Sequence, residues 1–291
     1  MYPNFTALPW AASYGVFLLI GLVLWWWLSR AQAKHREIDC SHIDLLAPLI
    51  ILGGVLGSKF FGIISPNDIQ ISGDQYIVAG RLRLFGWILM GIVVLAVYCR
   101  VQGISFLKTA DVFAAPSLLA IGLLRLGCFM GGCCWGDVCV SPGQSAGLND
   151  SFLQTQIHTF GWVSGENNPF AIEFPAGSFA HQQHMSCGLL NEASVRSLPV
   201  HPVQIYESIL VFALFLVVWF GCRKTDSTHG QKCLMALSSY CLVRFLIEFL
   251  RADNSIILRG LTFTQLICLL ILILTPFLWA TIGKKGSAVD L

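Results

Sequence analysis

Charge is the scarcest thing in this chain. Only 12% of its 291 residues are Asp, Glu, Lys or Arg, against 55% that are hydrophobic, which excludes an ordinary soluble domain, where about a quarter are charged. The few charges form no basic stripe, and a formal net of +2 offers no hold on a phosphate backbone, so no nucleic-acid partner is expected. Residues 1–9 carry no Lys or Arg, and the first apolar run is therefore expected to be a span rather than a cleaved signal peptide. No glycine-rich nucleotide loop is present, and the lack of an internal repeat speaks against a transporter built from inverted repeats. Most of the 11 cysteines lie in or beside apolar runs, where a thiol behaves as a small hydrophobe rather than as part of a disulfide scaffold. Only Cys139 and Cys187 fall within a long polar loop, and they could pair if that loop faces an oxidising compartment.

What the chain has in abundance is apolar runs of membrane length. Seven can be placed, at about 10–29, 44–65, 84–99, 111–130, 203–221, 233–251 and 262–282, so the expected fold is an all-α integral membrane protein with about seven transmembrane helices. The third run is short. With the N-terminus outside and the C-terminus inside, ten Lys and Arg residues lie on the inner side and five on the outer, the asymmetry that sets orientation in membranes. Residues 137–200 form the one large polar loop. Its Phe160, Trp162, Phe170, Phe174 and Phe179 suggest a small folded outer cap within a single domain of residues 1–291.

Three basic residues, Lys59, Arg125 and Arg244, fall inside the runs, with Glu207 and Glu248. A charge near the bilayer centre costs from ~2.5 to over 10 kcal/mol, so such residues usually face a protein interior or a watery cavity and have a function there. Arg125 opens the stretch Arg125-Leu126-Gly127-Cys128-Phe129-Met130-Gly131-Gly132-Cys133-Cys134-Trp135-Gly136. Gln204, Glu207 and Ser208 share one helical face at the start of the fifth run, and Arg244, Glu248 and Arg251 share a stripe at i, i+4 and i+7 in the sixth. At ~1.5 Å per residue, Arg125 lies about 21 Å from Asp111, while Arg244 and Glu248 lie about 17 and 22 Å from Cys233. All three reach a similar depth in the outer half. Two guanidiniums with a carboxylate between them suit a phosphate group, since Arg presents a planar fork to phosphate oxygens. Interhelical salt bridges are the plainer alternative. In the second run, Gly53-Gly54-Val55-Leu56-Gly57 has the small-residue spacing that lets two helices approach closely.

These stretches, in this order, resemble the prolipoprotein diacylglyceryl transferase family of bacterial inner membranes. Tyr14-Gly15, Gly53 to Phe61, Arg125 to Gly136, His201-Pro202-Val203-Gln204-Ile205-Tyr206-Glu207 and Arg244-Phe245-Leu246-Ile247-Glu248-Phe249-Leu250-Arg251 carry the resemblance nearly end to end. It implies a multi-pass enzyme of the bacterial inner membrane. Such an enzyme transfers the diacylglyceryl group of phosphatidylglycerol to the lipobox cysteine thiol of a prolipoprotein, releasing glycerol phosphate. By the same resemblance Arg125 and Arg244 hold the phosphate and stabilise the leaving group, Glu248 and Glu207 orient them, and Tyr14, Cys128, Gly136, His201, Gln204, Tyr206 and Arg251 line the substrate site. The implied partners are phosphatidylglycerol, the prolipoprotein signal peptide and membrane lipids; no cofactor and no metal are implied.

The chain also departs from the family pattern. Phe85-Gly86-Trp87 stands where the third helix usually has His-Gly-Gly, and none of the seven histidines lies well inside a run. Cys128, Gly131 and Cys133 replace the signature's usual Asn, Asn and Glu. A branch of the family with a cysteine pair is similar to this chain, including Phe174-Pro175-Ala176-Gly177-Ser178. Two further readings therefore stay open: a paralogue using the same headgroup site for another acceptor, and a non-catalytic lipid-binding or thiol-redox membrane protein built around Cys133-Cys134. Vicinal cysteines are more often packing or metal-prone thiols than a redox couple.

Overall fold

A computed structural model describes residues 10–64, 69–72, 75–78, 81–136, 138–139, 170–186, 190, 194–221, 229–251, 256–258 and 261–289. The apolar runs become helices: α1 (Trp10–His35), α2 (Cys40–Ile64), α3 (Arg81–Gln102), α4 (Phe106–Met130), α6 (Val203–Leu216, continued by a π-helical turn Val217–Gly221), α7 (Gln231–Ile247, closed by a 3₁₀ turn Glu248–Leu250) and α8 (Phe263–Val289). A short helix, α5 (Phe179–Ser186), lies between α4 and α6. Among the described residues six helices are long and apolar enough to cross a membrane, and Gly86–Gln102 forms a shorter apolar helix. At ~1.5 Å per residue the full α3 of 22 residues covers about 33 Å, enough for a hydrocarbon core of ~30 Å, so the helix is longer than the short third run of the sequence.

Several boundaries differ from those read in the sequence, and two of them have a visible cause. α1 runs on to His35, carrying Arg30 and Lys34 inside the helix rather than after it. The reason is lateral pairing: Arg30 Nη1 lies 3.0 Å from the Asp44 carboxylate of α2 and over the Trp26 ring, whose Nε1 donates to the same carboxylate at 2.9 Å. At the other membrane face, helical geometry ends before Arg251, which adopts an extended conformation (φ −96°, ψ 130°). Arg251 therefore leaves the stripe of Arg244 and Glu248, and its backbone pairs instead with Gly136.

The chain also has strands that an all-helical reading omits. Ile69–Ser72 (β1) pairs antiparallel with Gln75–Val78 (β2), and Ile256–Leu258 (β3) with Leu261–Thr262 (β4). Both pairs of strands are short and rich in β-branched residues, and each closes its backbone hydrogen bonds with its neighbour in the chain.

α4 is the most enclosed of the spans. It packs against α1 on one side and against α6 and α7 on another, while α2 pairs with α3 and α7 with α8. The α2–α3 contact rests on the glycines: a Cβ at Gly54 would lie 2.5 Å from the Trp87 ring, and one at Gly57 would strike the Gly86 carbonyl oxygen. Helix packing thus accounts for that motif. One apolar cluster (Ile43, Leu46, Leu95, Val112, Phe113) fills the first half of α4, and a second (Ala115, Leu118, Val211, Val218, Ala236) joins it to α6 and α7. Leu19, Leu52 and Phe277 point outward, the inverse of a soluble fold and suited to lipid tails.

Part of the polar loop is described. Val200 bridges to both Val138 and Ile172, Pro175 pairs with Arg196, and Trp135, Phe174, Ala180 and Val200 make a small core with α5 against it. Phe160, Trp162 and Cys187, and with Cys187 the pairing suggested for Cys139, lie outside the described residues.

Candidate active site

Three helices bring charge to one buried point. Arg125, about 8 Å from the end of α4 at ~1.5 Å per residue, reaches Glu207 of α6, with Nε 3.0 Å from Oε2. From the far end of α7, Arg244 Nη1 approaches the same oxygen at 3.3 Å, and its Nη2 lies 2.6 Å from Glu248 Oε2. The side chains are nearly dry, with 12%, 1%, 8% and 0% exposure for Arg125, Glu207, Arg244 and Glu248. Two cations here face two anions. Each guanidinium carries five N–H donors, more than one carboxylate can take up, so the pair retains donors for an anionic oxygen.

Neighbouring residues hold this constellation in register. Ser208 Oγ donates to the Gly122 carbonyl at 3.0 Å and pins α6 to α4 one turn before Arg125. Tyr240, one turn before Arg244 on α7, donates to Glu207 Oε1 at 3.3 Å. Thr262 Oγ1 donates to Glu248 Oε1 at 2.8 Å. Thr262 and Gln265 also cap α8 reciprocally, since each backbone N–H donates to the other's side-chain oxygen, at 2.9 and 3.3 Å. Tyr240, Thr262 and Gln265 went unread in the sequence, although signals were there. Tyr240 continues the Arg244 stripe at i−4, and Thr262-Phe263-Thr264-Gln265 is a capping box before an apolar run.

The remaining residues singled out from sequence fall around this point in different ways. Gln204 is buried and donates from Nε2 to the Cys133 carbonyl at 2.8 Å, while its own Oε1 has no hydrogen-bond partner among the described residues. Gly136 donates to the His201 carbonyl at 3.0 Å, and a Cβ there would sit 2.7 Å from that oxygen and strike Val203. Only glycine fits. His201 is buried beside the half-buried Tyr206, ring centroids 6.4 Å apart. Tyr14 packs across Gly127, between Arg125 and Cys128 in the chain. Arg251 comes to the site through its backbone pairing with Gly136 rather than along the α7 stripe.

Past Met130 the chain turns back on itself. Gly132 has φ +63°, Cys134 has φ +61°, and the Cys133 N–H donates to the Cys128 carbonyl at 3.1 Å. The turn returns Cys133 and Cys134 to Cys128, and their three Sγ atoms lie within 4.8 Å of one another. Contacts with the Cys128 and Cys133 thiols, then the charges of Arg251 and Arg125, hold the Cys134 thiol well below its ordinary range.

The arrangement can bind a phosphate between α4, α6 and α7 and stabilise negative charge that develops there, with three thiols one turn away. A family model described as prolipoprotein diacylglyceryl transferase matches residues 7–281. Proteins named phosphatidylglycerol–prolipoprotein diacylglyceryl transferase are similar along most of their length. The one from Geobacillus kaustophilus is 24% identical over 279 residues, covering 94% of this chain and 89% of the relative. That from Clostridium tetani is 26% identical over 276 residues, covering 92% and 91%. That from Thermosynechococcus vestitus is 26% identical over 270 residues, covering 91% and 85%.

Proposed function

This chain belongs to the prolipoprotein diacylglyceryl transferase family, and on that premise we propose that it transfers the diacylglyceryl group of phosphatidylglycerol to the lipobox cysteine thiol of a prolipoprotein. The observation that carries the reading to particular residues is the convergence of Arg125 and Arg244, from separate helices, on the single buried carboxylate of Glu207. Guanidiniums held this way receive the phosphodiester of the lipid headgroup, and as the glyceryl C–O bond breaks they take up the charge that accumulates on departing glycerol phosphate. Glu207 and Glu248 hold the two forks in place, and Tyr14, Cys128, Gly136, His201, Gln204, Tyr206 and Arg251 shape the surrounding walls.

The excess of basic residues on one side supports seven crossings of a bacterial inner membrane, N-terminus outside and C-terminus inside, with residues 137–200 as the outer cap. The charged cluster then lies at the depth of outer-leaflet headgroups. Purified protein given labelled phosphatidylglycerol and a lipobox peptide should move label to the peptide thiol. No transfer, with an active family member working alongside, would overturn the reading.

One observation favours a second acceptor class: Phe85-Gly86-Trp87 puts no histidine in α3 to activate a thiol. Lipid turnover in vitro, together with failure to rescue cells depleted of the ordinary transferase, would select that reading.

A further inference from the structure

Beyond the wall position given to Cys128, the reading above leaves the cysteines at the end of α4 without a role, yet they are arranged as a ligand set. Cys128, Cys133 and Cys134 are thiols whose sulfurs lie within 4.8 Å of one another. A zinc ion bonded to three sulfurs at ~2.3 Å in tetrahedral geometry holds them about 3.8 Å apart. A triangle with 4.8 Å sides reaches that geometry if each sulfur moves inward by about 0.6 Å, within the scope of small side-chain rotations. The turn that assembles them is maintained against a backbone penalty. Cys134 occupies the left-handed region at φ +61°, a conformation that is strained for a β-carbon-bearing residue and persists where its surroundings require it. Gln204 fixes the Cys133 carbonyl from α6, and the Gly136–Arg251 pairing fixes the strand just beyond Cys134.

We propose that Cys128, Cys133 and Cys134 form a three-thiolate site for a soft divalent cation, zinc by preference, whose open fourth position takes the acceptor's thiol and presents it as a thiolate to the lipid held by Arg125 and Arg244. The acceptor role rests on the transferase reading; the metal site does not. Thiolate sulfur selects soft or borderline cations over magnesium or calcium, and a zinc site with three protein ligands keeps a place for substrate. A divalent ion with three thiolates carries one net negative charge. Arg125, three residues before Cys128, and Arg251 offset it, as the membrane setting requires.

The site supplies what α3 lacks. A free thiol of pKa ~8.5 is only about 3% thiolate at pH 7, whereas a metal-bound thiol is deprotonated outright. On binding, the acceptor's S–H proton leaves to solvent and the sulfur takes the fourth position. That sulfur then attacks the glyceryl CH2 carbon attached to the phosphate. A C–S bond forms, the C–O bond breaks, and its electron pair departs on glycerol phosphate, whose added charge falls to Arg125 and Arg244. No atom changes oxidation state.

The test uses the reduced full-length protein in detergent with one equivalent of Co2+ as a spectroscopic stand-in for zinc. Thiolate-to-cobalt charge-transfer absorption and tetrahedral d–d bands are expected, displaced by Zn2+. They should vanish in Cys128→Ala and Cys134→Ala at unchanged helical circular dichroism, and persist in Cys40→Ala. A lipobox peptide should strengthen the charge-transfer band, its Cys→Ser version should not, and stripping zinc should slow transfer by about 30-fold, the inverse of the free thiolate fraction. Absence of thiolate bands, or bands that survive both alanine variants, overturns the metal site. Bands that ignore the peptide overturn the acceptor role. If metal and peptide bind but no lipid is transferred, the transferase reading fails and the site stands. If metal-free protein transfers lipid at full rate, the transferase reading stands and the acceptor role fails.

Discussion

Near the first turn of α4, the buried carboxylate of Asp111 faces Arg36 at 3.0 Å and accepts from the Gly230 and Cys233 backbone N–H groups, both at 2.8 Å. Near its last turn, Arg125, Glu207, Arg244 and Glu248 crowd together on three helices. Both groups are dry and both join elements distant in sequence, yet they differ in how their polar capacity is used. Asp111 receives a charge and the exposed N–H groups at the start of α7, so its oxygens are filled by the fold itself and it acts as a cap for a neighbouring helix. The outer group has two five-donor guanidiniums against two carboxylates, and beside it Gln204 Oε1 has no hydrogen-bond partner among the described residues. A saturated buried charge holds helices together; a buried polar group whose capacity the fold leaves partly unused is available to a ligand.

The comparison is broken most severely by removing a guanidinium. Arg125→Ala and Arg244→Ala are each expected to lower transfer from labelled phosphatidylglycerol by ~10²–10³-fold or more, the scale of losing a donor to developing charge. Near-normal turnover in both would leave the outer group a mere brace. Glu207→Gln should come next: it keeps the shape but unpairs Arg125 and leaves Arg244 to Glu248 alone, and at the cost of an uncompensated buried charge, ~3–5 kcal/mol, both thermal stability and turnover should fall. Asp111→Asn sharpens the contrast from the other end. It should cost about 3 kcal/mol in stability by leaving Arg36 unpaired, with kcat/KM per folded molecule unchanged.

A pH experiment tests the small core that α5 makes with Trp135 and Phe174. His184 is buried on α5, against the edge of Trp135, and its Nδ1 accepts from the Leu198 N–H at 3.2 Å. Burial, then the nearby His181, lowers its pKa from 6.5 to about 4. The folded cap therefore resists protonation that the unfolded loop accepts, and its stability falls as pH drops below 6.5, by roughly 3 kcal/mol on reaching pH 4. Limited proteolysis of the cap should accelerate between pH 7 and pH 5, and His184→Phe should flatten that dependence. The smallest effect belongs to the exposed Arg196–Glu173 pair, 3.4 Å apart with side chains 57% and 42% exposed. Arg196→Ala should shift stability by under ~1 kcal/mol and leave transfer unaltered.

Much of this was legible in the chain alone because a membrane simplifies the problem. Backbone groups must bond within their own segment in hydrocarbon, so an apolar run of spanning length announces a helix. A charge within such a run announces a function. That logic singled out Arg125, Glu207, Arg244 and Glu248, and periodicity placed Gln204 and Ser208 on the face that Glu207 uses. It failed at element ends, where pairing partners decide. Arg30 stays helical because Asp44 receives it, and Arg251 turns extended because Gly136 pairs with it. It also passed over Asp111, Tyr240 and Thr262, whose side chains matter only through residues on other helices.

The order of apolar runs and the rare charges within them thus determined the class of fold and the residues proposed for the chemistry, since hydrocarbon tolerates few alternatives. Which charge meets which, that one carboxylate is shared by two guanidiniums, and that a turn through Gly132 and Cys134 brings two thiols within reach of a third, were decided only when the chain folded. Those relations are distances between segments far apart in the chain, and local periodicity has no bearing on them.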